Sequence, residues 1–379
     1  MLGYNFLDRW WKGIDRPTVV ALGMLFAMSL MLVTTASPAV ASRIGLDESY
    51  FATRHVMYLA LALCIIIFLS CLKKHWIRRI ALVGFVLSLM LLILVQFYGY
   101  EVKGAKRWIS ILGFSMQPSE FMKPFFAVVT GWILSLKQNS DGDRDVGYKF
   151  PGFTVSFILY GLVAIILALQ PDFGMLVMIS AVWGIQLFVS GMPFLWILIA
   201  IAIGTVGVTA AYITLPHVAH RINAFLDPSN SENYQVSKSL MAFENGGFYG
   251  RGPGEGTIKQ VLPDSHTDFI FAVAGEEFGA IACVGITAIF AFIVLRGLLR
   301  LMHEDNIYVA LAVTGLLAQF GLQAVINIGV TLSLLPTKGM TLPFISYGGS
   351  STFAMAISVG MLLAFTKKKF HLTRYKMKF

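Results

Sequence analysis

The sequence predicts an all-α polytopic membrane protein of about ten transmembrane helices. Both termini are expected in the cytoplasm, with one large extracytoplasmic loop between spans seven and eight. Three observations carry this. Of 379 residues, 57% are hydrophobic and 13% charged, about half the roughly 25% charged share of soluble domains. Ten apolar segments come close to the ~20 residues that a bilayer core demands. The Lys and Arg residues gather mainly in the connections on one side, as the positive-inside rule requires of a cytoplasmic face.

In order, the apolar segments run over 18–40, 55–72, 77–98, 119–137, 153–169, 173–190, 193–214, 268–296, 307–332 and 347–366. Arg9, Lys12 and Arg16 precede the first, and Ala39-Val40-Ala41 resembles a signal-peptidase site. Its 19-residue run Thr18–Ala36 exceeds a signal core, so a retained helix is expected. Lys73, Lys74, Arg78 and Arg79 join spans two and three. Lys137, Arg144 and Lys149 follow span four, Arg296 and Arg300 follow span eight, and six bases end the chain. An even span number puts all of these on one side with the termini. The 215–267 connection then lies outside. Asp227-Pro228-Ser229-Asn230, Gly246-Gly247 and Gly252-Pro253-Gly254 are turn signals within it, and loops of such length are usually functional. No repeat or separate soluble domain stands out, so 1–379 reads as a single transmembrane domain.

The net charge of +9 belongs to these flanks and does not call for nucleic acid. Three cysteines cannot build a disulfide framework. Cys64, Cys71 and Cys283 sit in apolar runs and are expected to pack.

Ionisable residues at membrane depth are functional hypotheses by default. The connection GAKRWISILGFSMQPSEFMKP, 104–124, carries Arg107, Glu120 and Lys123. Its apolar residues alternate with small polar ones, which suits a short element in the interface. Pro118-Ser119-Glu120 marks a helix start, and Glu120 and Lys123 at i, i+3 can face each other. Asp172 heads the sixth segment and Asp268 the eighth. The ninth carries Gln319, Gln323 and Asn327 at i, i+4, i+8 and leads to Lys338. All fall at the ends expected outside. The convergence points to one mixed-charge site where bases meet phosphate and an acid acts on a hydroxyl.

Plainer roles compete at each position. Lys106 and Lys123 can snorkel, Arg107 beside Trp108 can anchor at the interface, and Glu120 or Asp172 can serve a helix start. The Gln/Asn stripe can be helix–helix glue. Asp268 stands balanced between helix cap and general base. Glu276 lies roughly 12 Å along the helix from Asp268, too far for a carboxylate pair, so a structural ion pair is expected there. Asp264, His266 and Asp268 lack zinc-type spacing.

At these residues the chain resembles the SEDS family (shape, elongation, division and sporulation proteins). The matching motifs are GAKRWI (104–109), QPSEFMK (117–123), LQPDFG (169–174), GRGPGEG (250–256), LPDSHTDFIFAVAGEEFG (262–279) and LLPTKGMTLPFISYGGSS (334–351). The last motif and GPGEG look like the division-type branch more than the elongation type. The resemblance implies a peptidoglycan glycosyltransferase of the cytoplasmic membrane, polymerising lipid II on its outer face at the septum. A class B penicillin-binding protein and other divisome proteins would be partners. It implies Asp268 as the essential catalytic aspartate of the HTDF motif. Arg107, Lys123 and Lys338, with Glu120, are implied on the substrate diphosphate, and His266 and Asp172 in support. A divalent cation, Mg²⁺ or Mn²⁺, is implied with no complete cage in the sequence. A lipid II flippase and a recruiting scaffold are the rivals. A flippase favours midplane sites in repeated halves, and a scaffold needs no convergent acid and bases.

Overall fold

The computed structural model describes residues 6–102, 105–111, 113–142, 151–214, 219, 223, 234–336 and 339–367. Twelve α-helices and three strands fall among them. α1 (Phe6–Gly13) leads into α2 (Arg16–Arg43), α3 (Tyr50–Cys71) and α4 (Lys74–Tyr98). Strands β1 (Tyr100–Val102), β2 (Ala105–Ile111) and β3 (Phe114–Met116) follow. Then come α5 (Pro118–Gly142), α6 (Gly152–Leu169), α7 (Phe173–Val189), α8 (Phe194–Thr214) and α9 (Tyr234–Gly246). α10 (Ile270–Leu301), α11 (Ile307–Thr331) and α12 (Gly349–Phe365) complete the bundle. Each of the ten expected apolar segments coincides with a helix. Six of them (α2, α3, α4, α6, α10 and α11) are long and apolar enough to cross a membrane, and α7 and α12 are shorter apolar helices.

α11 forms the centre, packed on α5, α7, α10 and α12. Phe126, Met122 and Leu134 of α5 and Leu316, Leu317 and Phe320 of α11 are buried. Gly131 allows α5 to meet the α11 backbone at Leu311 and Ala312, where a Cβ would collide. The periphery is the reverse. On α8, Phe194, Leu195, Trp196, Val206 and Ile213 are exposed, as expected of side chains that face lipid. α2 runs unbroken through Ala39–Ala41, with Ala36 and Ala41 buried. Of the cysteines, Cys283 packs in the core, Cys71 is half-buried and Cys64 is exposed, so the packing expectation fails for Cys64.

Two local departures from expectation shape the site. First, the interfacial element is a three-stranded antiparallel sheet. Ile109, Ser110 and Ile111 of β2 pair with Met116, Ser115 and Phe114 of β3. On the other edge Trp108 pairs with Tyr100 and Lys106 with Glu101. Arg107 is the extra residue between those pairs, and such a bulge re-aims its side chain.

Second, α10 is two helices. Gly279 has φ 76 and ψ −177 inside it, so Ile270–Phe278 is a separate piece and the expected uninterrupted 268–296 segment is broken. The ladder is completed from outside. Ala280 N donates to Gly247 O at 2.9 Å, while Arg251 N and Gly252 N donate to Glu276 O and Glu277 O at 3.0 and 2.9 Å. Main-chain groups freed by the break thus find partners in the glycine-rich loop, as buried backbone must. A Cβ on Gly279 would strike Phe248 O and Gly250 N. The turn expected at 227–230 lies outside the described residues.

Candidate active site

The polar residues meet where α5, α7, α10 and α12 begin and α11 ends. Gln117 stands at the junction. Its side-chain amide donates to Ser119 Oγ at 3.0 Å and to Asp172 Oδ2 at 3.4 Å, and its main-chain N donates to Ser350 Oγ at 3.2 Å. Asp172 caps α7 by accepting from Met175 N. Arg107, turned by its bulge, donates from Nε to Gln170 O at 3.4 Å and from Nη2 to Pro171 O. The α6–α7 turn is thereby fixed from both sides.

Lys123 lies one turn into α5 and is only 3% exposed. Its Nζ stands 2.8 Å from Glu120 Oε2 and donates to Gln323 Oε1 at 2.6 Å. Snorkelling is therefore excluded for Lys123, while Lys106 is exposed. Gln323 Nε2 in turn donates to Thr341 O at 3.0 Å and Ser351 Oγ at 3.2 Å. A buried charge is tolerable only when paired and hydrogen-bonded, and both conditions hold.

One turn further along α11, Asn327 Nδ2 donates to Asp268 O at 2.8 Å and Met340 O at 2.6 Å. Asp268 is half-buried and precedes the helix. The N-cap of α10 is Phe269, with no side-chain cap, so Asp268 is not the capping residue. Gly339 packs against its carboxylate: a Cβ there would come within 3.0 Å of Oδ2. Thr337 and Lys338 lie outside the described residues, so the place of Lys338 beside Gly339 rests on the sequence.

His266 is buried in an aromatic cage, with ring centroids 4.6 Å from Phe51 and 5.4 Å from Tyr347. Burial takes its pKa down to about 4, against an upward pull from Asp264 that Arg43 offsets only in part, so it is neutral at pH 7. Its carbonyl accepts from Tyr347 N at 2.9 Å.

The profile of the FtsW, RodA and SpoVE family, described as "Cell cycle protein", matches residues 16–371. The chain belongs to this family. It is 38% identical over 364 residues to the "Probable peptidoglycan glycosyltransferase FtsW" of Caulobacter vibrioides, covering 96% of this chain and 92% of that one. It is 35% identical to the protein of the same name from Coxiella burnetii, covering 92% and 95%. Among solved structures, a chain from "Structural coordination of polymerization and crosslinking by a peptidoglycan synthase complex" superposes with TM-score 0.76 at 24% identity, covering 94% and 98%. The Thermus thermophilus rod shape determining protein RodA superposes at 0.68 and 23%, covering 94% and 97%. These last two establish the shared fold.

Within this family member, the structure joins Glu120, Lys123 and Asp268 through one face of α11, and Arg107 and Asp172 through the α6–α7 turn. His266 is near Asp268 in sequence but its ring is spent on packing. The deeper acids have separate duties. Glu276 accepts from the main-chain N of Thr257 and Ile258, both at 2.9 Å, which holds the 3₁₀ turn Ile258–Gln260. The ion pair expected of Glu276 belongs to Glu277, whose Oε1 is 2.5 Å from Lys259 Nζ. Sequence reasoning treated Gln323 and Asn327 as glue between helices. Gln323 does join helices, α11 to Lys123 of α5 and to Ser351 of α12, and both residues also hold the loop at 340–341; the i, i+4 polar spacing in an apolar helix was the signal for them. Gln117, Gly339, Thr341 and Ser351 gave no separate signal.

Proposed function

We propose that this chain is the glycosyltransferase that polymerises lipid II into peptidoglycan strands for septal wall synthesis, with Asp268 as its general base. The observation that carries this reading is the half-buried Asp268 carboxylate, seated on glycine backbone at the bundle end where the basic residues converge. The names of the curated relatives support the activity.

In this reading the growing lipid-linked strand is the donor and incoming lipid II the acceptor. The acceptor GlcNAc 4-hydroxyl attacks the donor anomeric carbon and forms the new glycosidic bond. Asp268 accepts the hydroxyl proton, and the bond to undecaprenyl diphosphate breaks with its electron pair leaving on the diphosphate. Arg107 and Lys338 offset the charge that develops there. Lys123, sheathed by Glu120 and Gln323, acts from beneath, orienting the Thr341 segment.

A divalent cation, Mg²⁺ or Mn²⁺, belongs to this proposal. Among the described residues no cluster of three His, Cys, Asp or Glu stands together, so a protein-only cage does not fit. One carboxylate plus substrate phosphate oxygens does fit Mg²⁺ chemistry. The substrate's diphosphate oxygens would hold most of the ion's coordination, and there it would offset charge on the leaving group.

The same reading places ten spans across the cytoplasmic membrane as one domain, with both termini inside and the 215–267 loop outside. It gives the chain a transpeptidase partner of the class B penicillin-binding type and a place at the septum among divisome proteins. Purified Asp268→Asn, assayed for glycan polymer from lipid II, is expected to lose 10²–10⁴-fold in rate with an unchanged melting temperature. Parent-level polymer from that variant overturns the reading.

A further inference from the structure

We infer that Asn327 is a positioning residue for glycosyl transfer: one buried amide sets the Asp268 carboxylate against the Gly339–Thr341 segment. The inference rests on the reading of Asp268 as the base.

The geometry is specific. Asn327 is 1% exposed, and both hydrogens of its Nδ2 are spent on main-chain oxygens of two different segments, Asp268 at 2.8 Å and Met340 at 2.6 Å. The segment is held a second time one turn away, where Gln323 Nε2 donates to Thr341 O at 3.0 Å. Successive carbonyls, of Met340 and Thr341, are thus pinned by successive turns of α11. The other side of Gln323 holds Lys123 at 2.6 Å. α11 is therefore the common ruler for an acid loop, a lysine and the segment that follows Lys338, three pieces of chain with no fixed spacing of their own. The gap left to the carboxylate is narrow, since a Cβ on Gly339 would come within 3.0 Å of Asp268 Oδ2. A shift of either loop changes that gap directly.

The residue type follows from the same contacts. Only a terminal NH₂ offers two hydrogens on one atom for two acceptors. Aspartate, of equal size, offers none when ionised and one when protonated, so at least one of the two carbonyls loses its donor. An amide that merely glued helices would add stability and leave the chemistry of Asp268 untouched.

The test measures kcat and KM for polymerisation of lipid II by the full chain in nanodiscs, for Asn327→Asp, Asn327→Ala and Gly339→Ala. Asn327→Asp and Asn327→Ala are expected to lose about 10²-fold in kcat, the usual cost of a misplacement near 1 Å, with KM within about twofold because Asn327 does not touch substrate. Gly339→Ala, which leaves the buried amide in place, is expected to lower kcat by crowding the same carboxylate, and keeps the test open if the Asn327 variants do not fold. Parent kcat in the folded Asn327 variants, or a loss that falls on KM instead of kcat, or parent kcat in Gly339→Ala, overturns the inference. Asp268→Asn run alongside separates the two levels. Full activity there removes the base itself, whereas an inactive Asp268→Asn beside normal Asn327 and Gly339 variants removes only the positioning role.

Discussion

The two ends of the bundle treat a buried acid in opposite ways. At the end where α2 begins and α10 and α12 stop, Asp15 is 3% exposed and its carboxylate is saturated. Arg296 donates to it from Nε at 2.9 Å and from Nη2 at 2.8 Å, Arg300 from Nη2 at 2.9 Å and Thr18 from Oγ1 at 2.7 Å. Burial opposes the charged form, but these donors prevail and hold the carboxyl below the usual range. Arg300 also donates to Thr366 O, so three helices are tied at one carboxylate. At the other end Asp268 is half-buried, and its main-chain carbonyl accepts from Asn327 Nδ2 at 2.8 Å. A carboxylate enclosed by guanidinium groups is a fastener. A carboxylate whose backbone is clamped and whose side chain stands against glycine is, in the function proposed above, the one that meets the acceptor hydroxyl.

Exchanging the roles is the strongest way to break this contrast. Asp15→Ala leaves Arg296 and Arg300 side by side with no acid between them. We expect a loss of about 2–3 kcal/mol in detergent unfolding, less than the 3–5 kcal/mol of a fully buried pair, because both guanidinium groups keep some contact with water. The folded fraction should polymerise lipid II at the parent rate. A stable Asp15→Ala protein with abolished turnover would merge the two classes of acid.

A smaller effect comes from His266. Its folded pKa, about 4, lies below the ordinary value of 6.5. Between those values the unfolded chain binds more protons, so stability rises with pH through that window and is lost as pH falls from 6.5 toward 4. His266→Phe keeps a ring for Phe51 and Tyr347 to pack on and removes the titration. Its melting temperature should fall less than that of the parent between pH 6.5 and 4.5. Identical acid limbs would mean that the ring is protonated in the fold.

The smallest effect sharpens the comparison along α11. Gln323 and Asn327 are bonded, whereas Gln319, fully buried, has neither amide atom paired among the described residues. Gln319→Leu removes a polar group that contributes little, and replacing such a group by an apolar one is often neutral or stabilising. We expect equal or higher melting temperature and unchanged kcat. A marked loss of either would give Gln319 a place in the same ladder.

Much of this could be read from the chain. The ten apolar runs coincide with helices because a bilayer demands length and apolarity together, and both are visible in composition. The Glu120–Lys123 pair follows from i, i+3 spacing alone. The strands at 100–116 were hidden because short alternating segments in an interface resemble interfacial helices until their partners are known. The break at Gly279 was hidden because one glycine in an apolar run is ordinary. It becomes a break only when the 247–252 loop supplies the missing partners.

By itself the sequence determined the membrane class, the helices and the set of polar residues at one end, since these depend on local hydropathy and spacing. Tertiary structure decided what each polar residue does. Lys123 is buried rather than snorkelling because Gln323 reaches it from 200 residues away. Glu276 holds a turn while Glu277 takes the lysine. Asp268 ceases to be a cap because the helix opens after Phe269. Each outcome depends on which distant segment supplies a donor, and such pairing leaves no trace in local periodicity.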